Sequence, residues 1–195
     1  MKNLMAIAVA AAALFVSSNN AFAMGDAPME NKQDLTPPHS VEMYLDGFHN
    51  YKGQHNLSPD KQLQARYAHY CKGVKPGVFQ CLIYDGTTKE AKVVGLEYVV
   101  SNDIYQAFNA AEKKMWHPHD GEVDSGMLRM PGLDAEGEKK TLAFLRSTWG
   151  KTFNMWQAGA ELPTGEPKLM WSVDPKQIND KTKATMAARE KNPTF

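Results

Sequence analysis

The sequence predicts an α+β fold, a single domain with a mostly antiparallel sheet and helices packed on one face. Three observations carry that expectation. Segments rich in β-branched and aromatic residues are joined by short turns containing Gly and Pro. Two stretches with helical apolar periodicity fall between the later strands. No repeat or interdomain linker divides the 195 residues, whose 43% hydrophobic content suffices for one core.

The chain begins with a lysine at position 2, an almost wholly apolar run from Leu4 to Val16, and Ala21-Phe22-Ala23 with small residues two apart. That is the pattern of a signal peptide over residues 1–23, cut after Ala23. The run is shorter than the roughly 20 residues a membrane-spanning helix needs, and no second long apolar segment follows. The mature chain is therefore expected without a transmembrane segment, periplasmic or secreted. Residues 24–40 are polar and end in Thr36-Pro37-Pro38, which reads as a flexible arm.

Behind Ser40, Val41, Tyr44, Leu45 and Phe48 fall at i, i+3, i+4 and i+7, predicting a short helix that Gly47 weakens. Gly53 to Asp60 reads as loop. From Gln64 to Asp85 a hairpin is expected: Tyr67, His69 and Cys71 share one face, Lys75-Pro76-Gly77 turns the chain, and Phe79 to Tyr84 returns. Ala91 to Val100 is the strongest β-branched run and reads as a central strand. A helix capped by Ser101 or Asn102 follows, with Ile104, Phe108, Ala111 and Met115 in one stripe. Ser125 to Met130 is a strand candidate. Lys139 to Trp149 reads as a second helix, with Leu142, Leu145 and Trp149 inward and Gly150 as its C′ residue. Thr152 to Gln157 and Lys168 to Val173 are the last strands, and the domain closes near residue 174. The charged tail, 175–195, has a helical stretch from Lys181 to Glu190 with few apolar side chains to hold it.

Lys+Arg and Asp+Glu balance at 22 each, so no field favours nucleic acid as a partner. Cys71 and Cys81, ten residues apart, suit facing hairpin strands; a disulfide and a pair of buried thiols both fit.

The chemistry concentrates in Trp116-His117-Pro118-His119-Asp120-Gly121-Glu122. Pro118 fixes its own φ and pushes His117 out of the helical region, so the preceding helix must stop and the segment run extended. Residues two apart in an extended segment point the same way, so the two imidazoles can meet one divalent transition metal. Glu122 is the nearest third ligand, but it lies an odd number of positions from His119, and only a turn at Gly121 brings it round. His49, His69 and Glu97 are further donors placed elsewhere in the chain. The alternative is a loop whose histidines are satisfied by protein hydrogen bonds.

Other motifs fail. The gap before the carboxylate is too short for a cupin metal pattern. Gly150-Lys151-Thr152 has the ending of a phosphate loop, but the required upstream glycine is Leu145. Four tryptophans on apolar stripes or element ends read as core packing rather than a sugar platform. No nucleophile elbow, CxxC or HExxH is present.

Taken together, GFHNY (47–51), HYC (69–71), QCLIYDG (80–86), VGLEYVVS (94–101), EKKMWHPHDGEVDSGML (112–128), WGKTFNMWQ (149–157) and LPTGEPKLM (162–170) resemble the oil body-associated protein family. The likeness runs in order through the 41–174 domain. Members are best known from plant seeds, where they accompany lipid bodies, and the family supplies no established reaction. The resemblance marks His49, His69, Cys71, Cys81, Glu97, His117, His119, Glu122, Lys151 and Trp156 as pattern positions. It implies that some of these line a common site; the spacing nominates His117, His119 and Glu122 as metal ligands, and His49, His69, Glu97, Lys151 and Trp156 are the candidate ligand-binding residues. It also implies a fold that does not require a disulfide, since relatives live in reducing compartments. The leader departs from plant members, and so does Asn154, where they carry His or another polar residue. Three functions follow as expectations: an exported domain associating with a lipid or small-molecule ligand, a metal-dependent enzyme whose ion activates water or oxygen, or a metal-binding protein without catalysis.

Overall fold

Strand pairing organises the chain. The computed structural model describes residues 34–192, with strands β1 (Met43–Tyr51), β2 (Ala65–Lys75), β3 (Val78–Tyr84), β4 (Val93–Ser101), β5 (His117–Pro118), β6 (Thr148–Asn154) and β7 (Lys168–Ser172). The helices are α1 (Thr36–His39), α2 (Asn102–Gln106), α3 (Ala110–Lys113), α4 (Asp120–Asp124), α5 (Ala135–Leu145) and α6 (Asp180–Arg189). The leader and most of the N-terminal arm lie outside the described residues. None of the described helices is long and apolar enough to cross a membrane.

β1 pairs with β2, β2 with β3, β3 with β4, β4 with β6, β6 with β7, and β7 with β1, all antiparallel. The expected antiparallel sheet is thus present, but it closes into a six-stranded barrel. β4 and β6 seal it over seven residue pairs, Gly95↔Asn154 through Ser101↔Thr148. A closed ring has no single face for helices to cover. Helix α5 instead contributes Leu142 and Leu145 to the core, and α6 lies against β1, where Arg189 reaches Asp46. β5 adds two residues to the β6 edge at His117↔Gly150 and Pro118↔Trp149.

Alternation sends Leu45, Tyr67, Cys71, Cys81, Ile83, Val99 and Met170 into one apolar cluster, all at most 4% exposed. The hairpin β2–β3 forms as expected around Gly77, whose φ of 71° is in the left-handed region that favours glycine. Cys71 and Cys81 face one another across it and form a disulfide.

Several expected elements differ. Tyr44, Leu45 and Phe48 lie in β1 rather than in a helix: Leu45 and His49 point inward, while Asp46, Phe48 and Asn50 on the other face are covered as well. A strand buried on both faces loses the alternation that identifies strands. The helix after β4 breaks in two, because Asn109 accepts hydrogen bonds from the backbone of Ala111 and Glu112 and caps a new start. The segment Ser125 to Met130 is not a strand; its sole ladder contact is the bridge Asp46↔Arg129. Helix α5 ends at Leu145, so Trp149 and Gly150 lie in β6, with Trp149 outside the barrel stacked on Tyr105 at 3.6 Å. Of the four tryptophans expected in the core, Trp116 alone is fully buried there, at 4% exposure. In the loop after β1, His55 is half-buried against Trp171.

Replacing both cysteines by alanine should leave the barrel folded but lower its unfolding free energy by about 2–3 kcal/mol, given the ten-residue separation of the crosslink. A urea midpoint shift measured against the oxidised parent checks this.

Candidate metal centre

Six chemistry-bearing side chains from five parts of the chain meet inside the barrel. His49 comes from β1, His69 from β2, Glu97 from β4, His117 from β5, and His119 and Glu122 from the start of α4. All are buried, none more than 4% exposed. The turn that Glu122 needed is α4 itself: His119 occupies its N-cap position, and the helical turn swings Glu122 back toward the two histidines.

The Nε2 atoms of His117 and His119 each lie 3.5 Å from Glu97 Oε1, and His69 Nε2 is 3.5 Å from Glu97 Oε2. His49 Nε2 stands 3.5 Å from Glu122 Oε1. Three overlapping trios, His49/His69/Glu97, His49/His117/Glu122 and Glu97/His117/His119, each have donor atoms within 4.8 Å of one another. Two ligands of a tetrahedral ion with bonds of about 2.1 Å stand roughly 3.4 Å apart, so these spacings fit a shared cation.

The surrounding hydrogen bonds fix which ring nitrogens face inward. Thr148 Oγ1 donates its one proton to the Leu145 carbonyl at 2.7 Å, so it must accept from His119 Nδ1, 2.8 Å away. His69 Nδ1 faces the Tyr67 carbonyl at 3.2 Å, which can only accept. In both rings Nε2 is therefore the nitrogen turned toward a carboxylate. Thr152 Oγ1 donates to Glu97 Oε1 at 2.8 Å and holds it in place. Such outer partners are what orients histidine ligands.

Burial holds the imidazoles neutral: it pulls His49 down to about 3 against the opposing field of Glu97, and it lowers His69 and His117 in the same way. Burial alone raises the Glu97 carboxyl, but the facing His119 ring and the His49 and His69 imidazoles outweigh it and keep Glu97 well below the usual range. Glu122 is pushed well above that range, by burial first and then by Glu97. Both nitrogens of His117, His49 Nδ1 and Glu122 Oε1 have no hydrogen-bond partner.

Space for the cluster comes from Gly150. A Cβ there would stand 2.3 Å from Glu97 Oε1, 2.6 Å from His119 Nε2 and 2.8 Å from His117 Nε2. Any side chain at 150 would fill the space between Glu97, His117 and His119.

The matched region of known proteins contains all of this. A family model described as "Protein of unknown function (DUF1264)" matches residues 35–194. The chain belongs to the DUF1264 family. Similar relatives include oil body-associated protein 1B of Arabidopsis thaliana, 38% identical over 143 residues, which is 72% of this chain and 57% of that protein. Oil body-associated protein 1A of Zea mays is 36% identical over 140 residues, 71% of this chain and 56% of the relative. Oil body-associated protein 2A of Arabidopsis thaliana is 32% identical over 152 residues, 75% and 57% respectively. The chain thus spans little more than half the length of these relatives. No solved structure matches it significantly.

In this DUF1264 chain two of the residues expected at the site stand apart from it. Lys151 points outside the barrel, its Nζ 2.6 Å from Glu112 Oε1 and over the Trp116 ring. Trp156 follows β6 in a loop and donates to the Ala160 carbonyl. Asn154 does face inward, but its amide is committed, accepting from Tyr51 and donating to the Val94 carbonyl. The sequence reading passed over Thr148, Gly150 and Thr152. Their signal was the alternation of small residues in Thr148-Trp149-Gly150-Lys151-Thr152, a strand lining a polar interior, and the GKT of the rejected phosphate loop belongs to it.

Because its folded-state pKa lies above the ordinary carboxylate value, Glu122 supports stability fully below that value and loses its contribution as the pH rises through the folded one. In metal-free protein at neutral pH, Glu122→Gln should therefore raise the thermal midpoint, by about 1–2 kcal/mol of stability, while weakening metal binding. A midpoint that falls in the metal-free variant would contradict this.

Proposed function

We propose that this DUF1264 member is an exported metal-binding protein that holds a divalent transition metal through His49, His69, Glu97, His117, His119 and Glu122. The observation that carries the reading is convergence in a buried interior: with Nδ1 tied to the Tyr67 carbonyl or to Thr148, Nε2 of His69 and of His119 faces the Glu97 carboxylate. A cation among these groups would satisfy atoms the protein leaves without hydrogen-bond partners, His117 Nε2 and Glu122 Oε1 among them, and buried polar atoms without partners are costly. A mixed imidazole and carboxylate set suits zinc, iron, manganese or copper. Every donor of the three trios is buried, and that enclosure favours an ion that is held over one that meets a substrate.

Export is supported by the leader pattern of residues 1–23 and by the Cys71–Cys81 disulfide, a bond that persists in oxidising compartments. A second reading, association with a lipid or small-molecule ligand, is suggested by the names of the oil body-associated relatives. An apolar groove of about 330 Å³ on the outer wall, lined by Pro38, Val41, Tyr70, Leu82 and Tyr84, supports it.

Elemental analysis of the untagged mature protein should find a stoichiometric transition metal that is lost in His117→Ala/His119→Ala. The Trp171 ring lies 5.6 Å from His117, so adding cobalt to metal-free protein should quench tryptophan fluorescence in the parent and by a smaller amount in Trp171→Phe. Metal-free parent protein that takes up no ion from a panel of these metals would sink the reading. Amino-terminal sequencing of the protein from the extracytoplasmic fraction should begin at Met24; a cytosolic product that retains Met1 would remove export.

A further inference from the structure

The proposed ligands are at most 4% exposed, so no ion reaches them while every wall of the site stays in place. The walls are not equally fixed. His49, His69 and Glu97 stand on barrel strands paired over seven residues or more with a neighbour, whereas His117, His119 and Glu122 ride on an inserted segment whose ladder with β6 is two residues long, with bonds from His119 to Thr148 beside it. Past Glu122 the segment turns at Gly126, whose φ is 74°, and rejoins the barrel where Arg129 and Asp46 exchange two backbone hydrogen bonds of 2.9 Å.

Arg189, at the end of α6, closes that turn from outside. Its guanidinium donates to the Met127 carbonyl at 2.9 Å, to the Gly126 carbonyl, and to Asp46 Oδ1 at 3.2 Å, and the residue is 3% exposed. Leu128 N donates to the Glu122 carbonyl at 3.0 Å, so the clasped turn is tied directly to a ligand residue. We propose that Arg189 is a latch on the metal centre: it holds the segment carrying His117, His119 and Glu122 shut, and so sets how fast an ion enters and leaves. This rests on the metal-binding reading above. Arg189 touches no donor atom and acts as a positioning residue through the backbone it clasps.

The latch can be removed without stranding a buried charge. Asp46 is also paired by the forked guanidinium of Arg66, so Arg189→Met leaves the carboxylate partnered and keeps a side chain over Phe48. Lys92→Ala serves as control, since that side chain pairs with Asp85 instead.

The test uses the full mature chain loaded with zinc or cobalt. Arg189→Met is expected to bind the same amount of metal as the parent but to release it to a chelator at least about tenfold faster, with faster uptake, as loss of buried charge-assisted hydrogen bonds implies. Amide exchange over residues 120–128 should rise with it while β2, β3 and β4 stay protected; the control should match the parent. Unchanged release with unchanged metal content overturns the latch, and so does exchange that rises evenly over the whole barrel. If the parent binds no metal, the metal reading fails by itself, and amide exchange at 120–128 still decides whether Arg189 holds the segment.

Discussion

The Glu97 carboxylate sets the terms for the rest of the molecule. It sits at the centre of a closed barrel, 3% exposed, facing three imidazoles and one threonine hydroxyl. A buried carboxylate needs donors or a cation, and the hydroxyl satisfies only part of it. Everything that meets Glu97 is arranged by that need. Register places Thr152 directly opposite on β6 and Cys81 opposite on β3. Gly150, one inward position along from Thr152, leaves the gap through which His117 and His119 approach.

A polar centre of this kind subtracts apolar burial from a small barrel, and other features offset it. The apolar cluster lies around the donors, with Leu45, Leu128, Met130 and Leu145 among its members. The disulfide limits the unfolded chain across the β2–β3 hairpin. On the outer face of β1, the Asp46, Arg66 and Arg189 network ties the C-terminal helix and the 126–129 turn to the strand. Such a network contributes less to net stability than to uniqueness of arrangement, because desolvating its charges offsets most of their attraction. Its geometric role, holding one ligand-bearing segment in place, is consistent with that balance.

How much of this was legible in the sequence depends on what each residue reports. The hairpin around Lys75-Pro76-Gly77 and the run ending at Val100 were readable because turn chemistry and β-branching are local signals. Strand β1 was not, since burial on both faces erased its alternation and left Val41, Tyr44, Leu45 and Phe48 at helical spacing by coincidence. Barrel closure depends on β4 meeting β6 across some fifty residues, a pairing that no local pattern encodes. At the site, His117-Pro118-His119 announced itself through the stiffness of proline. Glu122 was nameable as a candidate, but its approach required a helix start that spacing alone did not disclose. His49, His69 and Glu97 carried no mark beyond their residue types, because their convergence is a property of the closed ring. Arg189 gave no sign at all: a tail that looked too polar to dock is held by polar contacts.

Enclosure bears on the kind of function such a centre serves. A catalytic ion keeps a coordination position for substrate and a path to it, whereas a holding or structural ion is saturated by the protein. Four imidazoles and two carboxylates are turned inward and buried, with Thr148, Thr152 and the Tyr67 carbonyl behind them, so on the proposed reading enclosure rather than access is what this barrel would offer an ion. Specificity then follows from donor type and slow exchange rather than from affinity alone, because nitrogen-rich sites rank divalent metals by a general order that availability must overcome. For a protein expected outside the cytoplasm, where ion supply varies, a site that opens only when a clasped segment moves retains what it has bound. On that proposal the same clasp would tie metal occupancy to the C-terminal helix, so that a change at the barrel's outer face would be felt at the ion without any group there touching it.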